Sequence, residues 1–201
     1  MAERTSSSYV IHNVKAHWKW TNKNNNNKFV MPPHAVQHSN FFTVRYNQYV
    51  YSVFDKSSHI NVSGIRNFDD IKGAVMMFNA QFSADINVNN ISVDNCTASG
   101  KLEKNHIVCV QKILAEREKH SVHVRIRSRI FPSIIIRQAK RRQLQGEEKR
   151  GTIILFSNKK FIIVGCNSLS SVQKTFQTLC ALTQQPSMTC PQQQASVSTV
   201  G

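Results

Sequence analysis

Hydrophobic residues recur with two different periods along this chain. Residues 48–64 read Gln-Tyr-Val-Tyr-Ser-Val-Phe54, then Asp-Lys-Ser-Ser, then His-Ile-Asn-Val-Ser-Gly64. That is a two-residue alternation interrupted by a polar turn, and it predicts two strands joined tightly. The period then lengthens to three or four, with Phe68, Ile71, Val75, Phe78 and Phe82 forming a stripe behind Asn67. This predicts a helix with Asn67 as N-cap. Residues 151–165 repeat the strand pattern as Gly-Thr-Ile-Ile-Leu-Phe156, Ser-Asn-Lys, Lys-Phe-Ile-Ile-Val-Gly165. A second helix is expected behind Ser168, with Leu169, Val172, Phe176 and Leu179 as its stripe.

The two stretches are one pattern used twice. Gly64 and Gly165, Asn67 and Ser168, Phe68 and Leu169, Ile71 and Val172, Val75 and Phe176, and Phe78 and Leu179 are each 101 residues apart, and self-similarity at a fixed spacing governs the whole fold. Earlier strands match as Val-Ile-His-Asn13-Val14-Lys-Ala16 against Val-Asn-Asn90-Ile91-Ser-Val93, at a spacing of 77. The second copy then carries 24 extra residues (101 minus 77). Part of the excess is an expected helix over residues 105–119, with Ile107, Val110, Ile113 and Leu114 on one face; another part is a basic insert over 138–150. The first copy instead has an Asn-rich run over 22–28 and Pro32-Pro33-His-Ala-Val, which can start only a short helix. The expected organisation is a polar lead over 1–8, one repeat over 9–83, a second over 84–183, and a disordered Gln/Ser/Pro tail over 184–201.

Strand alternation sorts the faces. If Ile153, Leu155 and Ile163 pack under a helix, then Ile154, Phe156, Ile162 and Val164 point the other way. An apolar outward face needs a partner, unless a second layer buries both faces. The matching positions of the first copy, Ser52, Phe54, Asn61 and Ser63, are too polar for a second core. Residues 121–137 read as one strand with Val122, Val124, Ile126 and Ile130 on one parity and His123, Arg125, Arg127, Arg129, Phe131, Ile135 and Arg137 on the other. These cations either coat a solvated edge or contact phosphates.

Charge sharpens the choice of partner. The chain has 26 Lys+Arg against 11 Asp+Glu, a formal net charge of +15, which favours polyanions because each neutralised phosphate releases a counterion. No apolar run reaches membrane-helix length, and the first eight residues lack the apolar core of a signal peptide, so an intracellular location without a membrane partner is expected. Cys96, Cys109, Cys166, Cys180 and Cys190 are odd in number and contain no CxxC pair, so reduced thiols are expected. His34 and His38 lack a third ligand, and Asp69 and Asp70 fit the first turn of a helix. The run Lys140-Arg141-Arg142 suits a nuclear-import signal, a contact site for an acidic partner or a solvated loop. No nucleotide-binding loop or catalytic motif occurs, so neither an enzyme, a cofactor, a metal nor a small-molecule substrate is expected.

Each copy thus runs strand, helix, strand, hairpin, strand, helix. Phe131-Pro132-Ser-Ile-Ile-Ile-Arg137 resembles the Phe-Pro-Gly-Leu-Ile-Tyr-Arg of the TATA-box-binding protein family, and Ile154-Leu-Phe156-Ser-Asn-Lys-Lys-Phe-Ile-Ile-Val-Gly165 resembles its Leu-Ile-Phe-x-Ser-Gly-Lys-x-Val-x-Thr-Gly. The resemblance implies an α+β fold in which two pseudo-symmetric repeats form a curved antiparallel saddle, with helices on the convex face. It also implies a nuclear transcription-initiation factor whose concave face binds and bends AT-rich promoter DNA at the minor groove and recruits general initiation factors. By position, Phe131 and Phe156 would be one wedge pair, Phe54 and Phe41 the other; Asn13 and Asn90 would sit at the dyad, and Arg45 and Arg137 on phosphates. Lys15, Asn61 and Ser92 depart from the family's apolar floor, which favours hydrogen bonding to base edges. Two rival expectations are a saddle that binds duplex weakly without bending it and a protein-interaction scaffold.

Overall fold

The computed structural model describes residues 9–20, 31–54, 57–127, 133–138 and 148–184. They form a mixed α+β structure: one ten-stranded antiparallel sheet, not closed into a barrel, and three helices. The strands are β1 (Tyr9–Lys19), β2 (Val36–Gln37), β3 (Phe42–Tyr46), β4 (Tyr49–Phe54), β5 (His59–Ile65), β6 (Ser92–Lys101), β7 (Val122–Arg127), β8 (Ser133–Gln138), β9 (Thr152–Phe156) and β10 (Lys160–Cys166). The helices are α1 (Asp70–Phe82), α2 (Val110–Glu116) and α3 (Leu169–Thr183). Across the sheet the order is β2-β3-β4-β5-β1-β6-β10-β9-β8-β7. Chain segments before and after residue 84 therefore occupy separate halves, joined where β1 pairs with β6.

The core lies on one face. Alternation in β4 buries Tyr49, Tyr51 and Val53, and in β9 and β10 it buries Ile153, Leu155, Phe161 and Ile163. α1 packs on β5, and α3 on β9 and β10. α1 contributes Ala74, Val75 and Phe78; α3 contributes Val172, Phe176, Leu179 and Leu182. Trp18 is fully buried between Tyr51 and Phe78, with ring centroids 6.4 and 5.7 Å away in edge-on contacts. Each such buried aromatic contributes about 1.5–3 kcal/mol from burial alone.

Several expectations are corrected. Residues 88–90 form a 3-10 turn rather than a strand, because the Asn87 side chain accepts from the Asn89 backbone N–H at 2.9 Å. The helix expected over 105–119 shrinks to α2. His106, Ile107 and Gln184 are tied together instead: Ile107 N donates to Thr183 O at 2.8 Å, and His106 bridges Gln184. Residues 121–137 are not one strand, which would span about 55 Å, but the antiparallel pair β7 and β8. Pro33 and His34 form a turn ahead of β2, with Ala35 N donating to Pro32 O. Leu169 is 43% exposed and outside the core. Asn67 does accept from Asp70 N at 2.8 Å, two residues before the assigned cap Asp69, within the spread of boundary definitions. Ser168 forms a reciprocal capping box with Ser171.

Candidate nucleic-acid interface

The sheet face opposite the helices carries half-exposed side chains at the alternate positions. Cross-strand register defines its rows. One runs Thr43, Ser52, Asn61, His17, Ser92; another runs Arg125, Ile135, Ile154, Ile162, Ser99, Val10. Two further rows run Arg45, Val50, Ser63 and His123, Arg137, Thr152, Val164. Ile154, Phe156, Ile162 and Val164 are half-buried on this face, while their neighbours Ile153, Leu155 and Ile163 are 0–2% exposed. Ile135 is more protected, at 8% exposure, yet lies outside the core cluster. Alternation thus resolved both faces of β9 and β10.

Charge on this face is one-sided. Lys15, Lys19, Arg45, Lys101, Arg125, Arg127, Arg137 and Lys160 all occupy its register positions. Among the described strands, Asp94 is the only carboxylate, and its Oδ1 lies 2.7 Å from His17 Nδ1. Most other acidic side chains, including Asp69, Asp70, Glu103, Glu116 and Glu148, belong to helices and loops. Asp70, for example, accepts from Tyr49 Oη at 2.6 Å and Gln48 Nε2 at 2.8 Å. Asp70 sits in the first turn of α1, as expected of a helix start, whereas Asp69 makes no side-chain cap bond.

At the outer end of the first half, three rings stack. His38 lies on Phe41 with centroids 4.5 Å apart, and Phe41 lies on Phe54 at 4.9 Å and 29°. Both phenylalanines are half-buried. His38 also bonds Thr43 at 3.1 Å, whereas His34 packs edge-on against Tyr46, so the two histidines do not share a ligand site. In the second half Phe156 is half-buried and pairs across from Ser133. Arg129 and Phe131, like Lys140 to Arg142, lie outside the described residues.

Near the central seam, Asn13 pairs opposite Thr97 and Lys15 opposite Asn95; Asn13 and Lys15 are exposed. Asn95 Oδ1 accepts from Gly165 N at 2.8 Å. Asn90 does not enter the sheet, since it ends the 3-10 turn before β6. The spacing of 77 that put Asn90 beside Asn13 would set a turn against a strand. Ser92 does enter, opposite His17. Asn95 was obscured in the sequence because β6 reads Ser-Val-Asp-Asn-Cys-Thr-Ala-Ser-Gly-Lys, too polar and small-residue-rich to announce a central strand.

Among the described residues no cluster of three or more His, Cys, Asp or Glu could hold a metal. Cys96 and Cys166 are buried free thiols that pair across β6 and β10. Burial, reinforced by Cys166, pushes the Cys96 thiol up to about 11, which keeps it protonated and unreactive. No helix among the described residues is long and apolar enough to cross a membrane. The surface thus offers rows of half-exposed apolar and hydrogen-bonding groups fringed by cations, a combination suited to a groove bordered by phosphates. No protein-family model matches this chain, and no curated protein matches it significantly.

Proposed function

We propose that this chain is a nuclear DNA-binding transcription-initiation factor of the TATA-box-binding type, built as two pseudo-symmetric repeats in a saddle whose open face lies along the minor groove of promoter DNA. The observation that carries the reading is the strand register. On β5, Ile60, Val62 and Ile65 pair with Trp18, Ala16 and Val14; on β10, Phe161, Ile163 and Cys166 pair with Gly100, Ala98 and Cys96. Each second set follows the first by 101 residues on one strand and 82 on the other. Val14 and Cys96 pair with each other, and the flanking pairs Asn13–Thr97 and Lys15–Asn95 interchange under the same shift of 82. That is the relation a two-fold axis through the Val14–Cys96 pair requires.

Smaller features follow the same rule. Trp20 N donates to Ser58 O and Leu102 N to Lys159 O, both at 2.9 Å. Ser58 and Lys159 both have positive φ, 52° and 68°, as do Gly64 and Gly165, at 88° and 86°. With 82 in place of 77, Asn95 becomes the counterpart of Asn13 and the excess in the second unit falls to 19 residues (101 minus 82).

In this reading Lys and Arg border the groove and neutralise phosphates. Phe54 with Phe41, and Phe156 with Phe131, wedge between base steps at the two ends. Unstacking costs a few kcal/mol per step and is offset by contacts that the bent duplex makes with more protein. General initiation factors would then be recruited through the helices and loops.

The test is a bend measurement by energy transfer across AT-rich and GC-rich duplexes. The wild type should bend the AT-rich duplex. Phe54→Ala and Phe156→Ala should each reduce the bend while the protein still melts cooperatively, since both side chains are half-buried and lie outside the core cluster. Equal, unbent binding to both duplexes would overturn the proposal and favour the weak non-bending binder that the polar Thr43–Ser52–Asn61 row supports. Salt-independent binding of another protein to the open face would favour the scaffold.

A further inference from the structure

Along one row of the open face the two halves differ in chemistry at three corresponding positions, Thr43, Ser52 and Asn61 against Ile135, Ile154 and Ile162. We propose that the interface reads DNA in two dialects: the half built from β8 to β10 accepts only A·T pairs, and the half built from β3 to β5 accepts G·C pairs through hydrogen bonds to the guanine amino group. This inference rests on the DNA-binding reading above and deepens it.

Register sets the comparison. Crossing the first half outward to centre, the row presents Thr43, Ser52, Asn61 and His17. The corresponding row of the second half presents Ile135, Ile154, Ile162 and Ser99. One row offers an acceptor or hydroxyl at every step; the other offers three isoleucines in succession. The contrast is confined to the open face, for the buried rows behind it are apolar in both halves, Val44–Tyr51–Val62 and Ile136–Ile153–Ile163.

The minor groove makes this contrast meaningful. A·T and T·A present acceptors alone at its floor, whereas G·C adds the N2 amino donor of guanine. Against Ile135, Ile154 and Ile162 that donor would be stripped of water with no acceptor in reach, a penalty that excludes guanine. Against Ser52 Oγ, Asn61 Oδ1 or Thr43 Oγ1 it finds an acceptor. Asp94, bonded to His17 at 2.7 Å, adds a carboxylate at the inner end of the polar row. It disfavours the strongly negative groove of an A-tract there and accepts readily from an amino group.

Four duplexes with identical flanks test this: A·T pairs in both halves of the site, G·C in the left half, G·C in the right half, and G·C in both. Because the protein can bind in either direction, both hybrid duplexes should bind within a few-fold of the all-A·T site. The doubly substituted duplex should bind at least about tenfold more weakly. A dye on the protein's first half should report opposite orientations on the two hybrids. Converting the polar row with Ser52→Ile and Asn61→Val should weaken both hybrids about tenfold and spare the all-A·T site. Ile154→Ser with Ile162→Asn should rescue the doubly substituted duplex. Melting of each variant checks folding, and if one pair fails to fold the other decides.

Hybrids as weak as the doubly substituted duplex, or hybrids indifferent to the variants, overturn this inference while leaving the DNA-binding reading intact. Failure of the wild type to bind any of the four removes both.

Discussion

At the scale of single residues, two glycines that look alike should respond differently to the same change. Gly64 and Gly165 both adopt positive φ, which costs a side-chain-bearing residue about 1–2 kcal/mol. A Cβ on Gly64 would also lie 2.0 Å from Gln48 O, a backbone atom that cannot step aside, whereas nothing lies within 4 Å of one on Gly165. Urea denaturation should therefore find Gly64→Ala much the more damaging, by several kcal/mol if the strands must part, with Gly165→Ala losing only about 1–2 kcal/mol. His106 makes the second residue-scale prediction. It is buried, and its Nδ1 lies 2.9 Å from Thr183 Oγ1, whose own hydroxyl donates to Leu179 O at 2.8 Å. That geometry selects the tautomer in which Nδ1 donates. Burial lowers its basicity, assisted by Lys159 and Lys112 against an opposing pull from Glu103. The unfolded chain therefore takes up the proton more readily, so the contribution of His106 is complete above pH 6.5 and is lost as pH falls below it. Denaturation midpoints compared at about pH 7.5 and 5.5 should fall more for the wild type than for His106→Gln.

At the scale of elements, α3 starts where several groups converge. Ser168 Oγ accepts from Ser171 N at 3.0 Å and donates to Glu148 Oε1 at 3.0 Å, while Glu148 also takes Lys174 Nζ at 2.7 Å. Ser168→Ala should cost about 0.5–2 kcal/mol in thermal or chemical denaturation. A loss below that range would mean Glu148 holds the helix end unaided. The same helix shows what was legible in the sequence. A cap followed by a three-to-four stripe named α3 and α1, and strict alternation named the β4–β5 and β9–β10 hairpins with their faces. Illegible segments had a competing local signal. Residues 88–90 match a strand in the sequence repeat, but the Asn87 side chain holds them in a turn and the strand begins only at Ser92; β6 is made largely of small and polar residues, with Cys96 and Ala98 as its buried positions. The helix expected over 105–119 loses its first turn to tertiary bonds with the end of α3, which periodicity alone does not register. Of the interface, the apolar positions of β9 and β10 and the arginines of β7 and β8 were readable from parity, whereas Asn95 required the register.

At the scale of the whole molecule, the strand cations collect on one face of the sheet. With the strand cations gathered on the open face and Asp94 the only carboxylate among the described strands, duplex binding should weaken steeply with salt, log affinity falling linearly with log salt. Replacing Arg125 and Arg127 with alanine should reduce that slope by roughly 0.9 for each phosphate that is no longer neutralised, measured by titration at several salt concentrations; an unchanged slope would place both side chains off the DNA. The sheet order has a separate consequence. All strands before residue 84 lie to one side of the β1–β6 seam and all later strands to the other. A single covalent passage joins them, residues 83–91, whose backbone at Ile86 donates to Asn79 Oδ1 and accepts from Asn79 Nδ2. A protease nick in that passage would sever the polypeptide without removing one ladder bond of the seam. The two fragments would stay clasped along β1 and β6, and separately made pieces would find each other by the same long strand pair, so this protein is suited to being built in two parts.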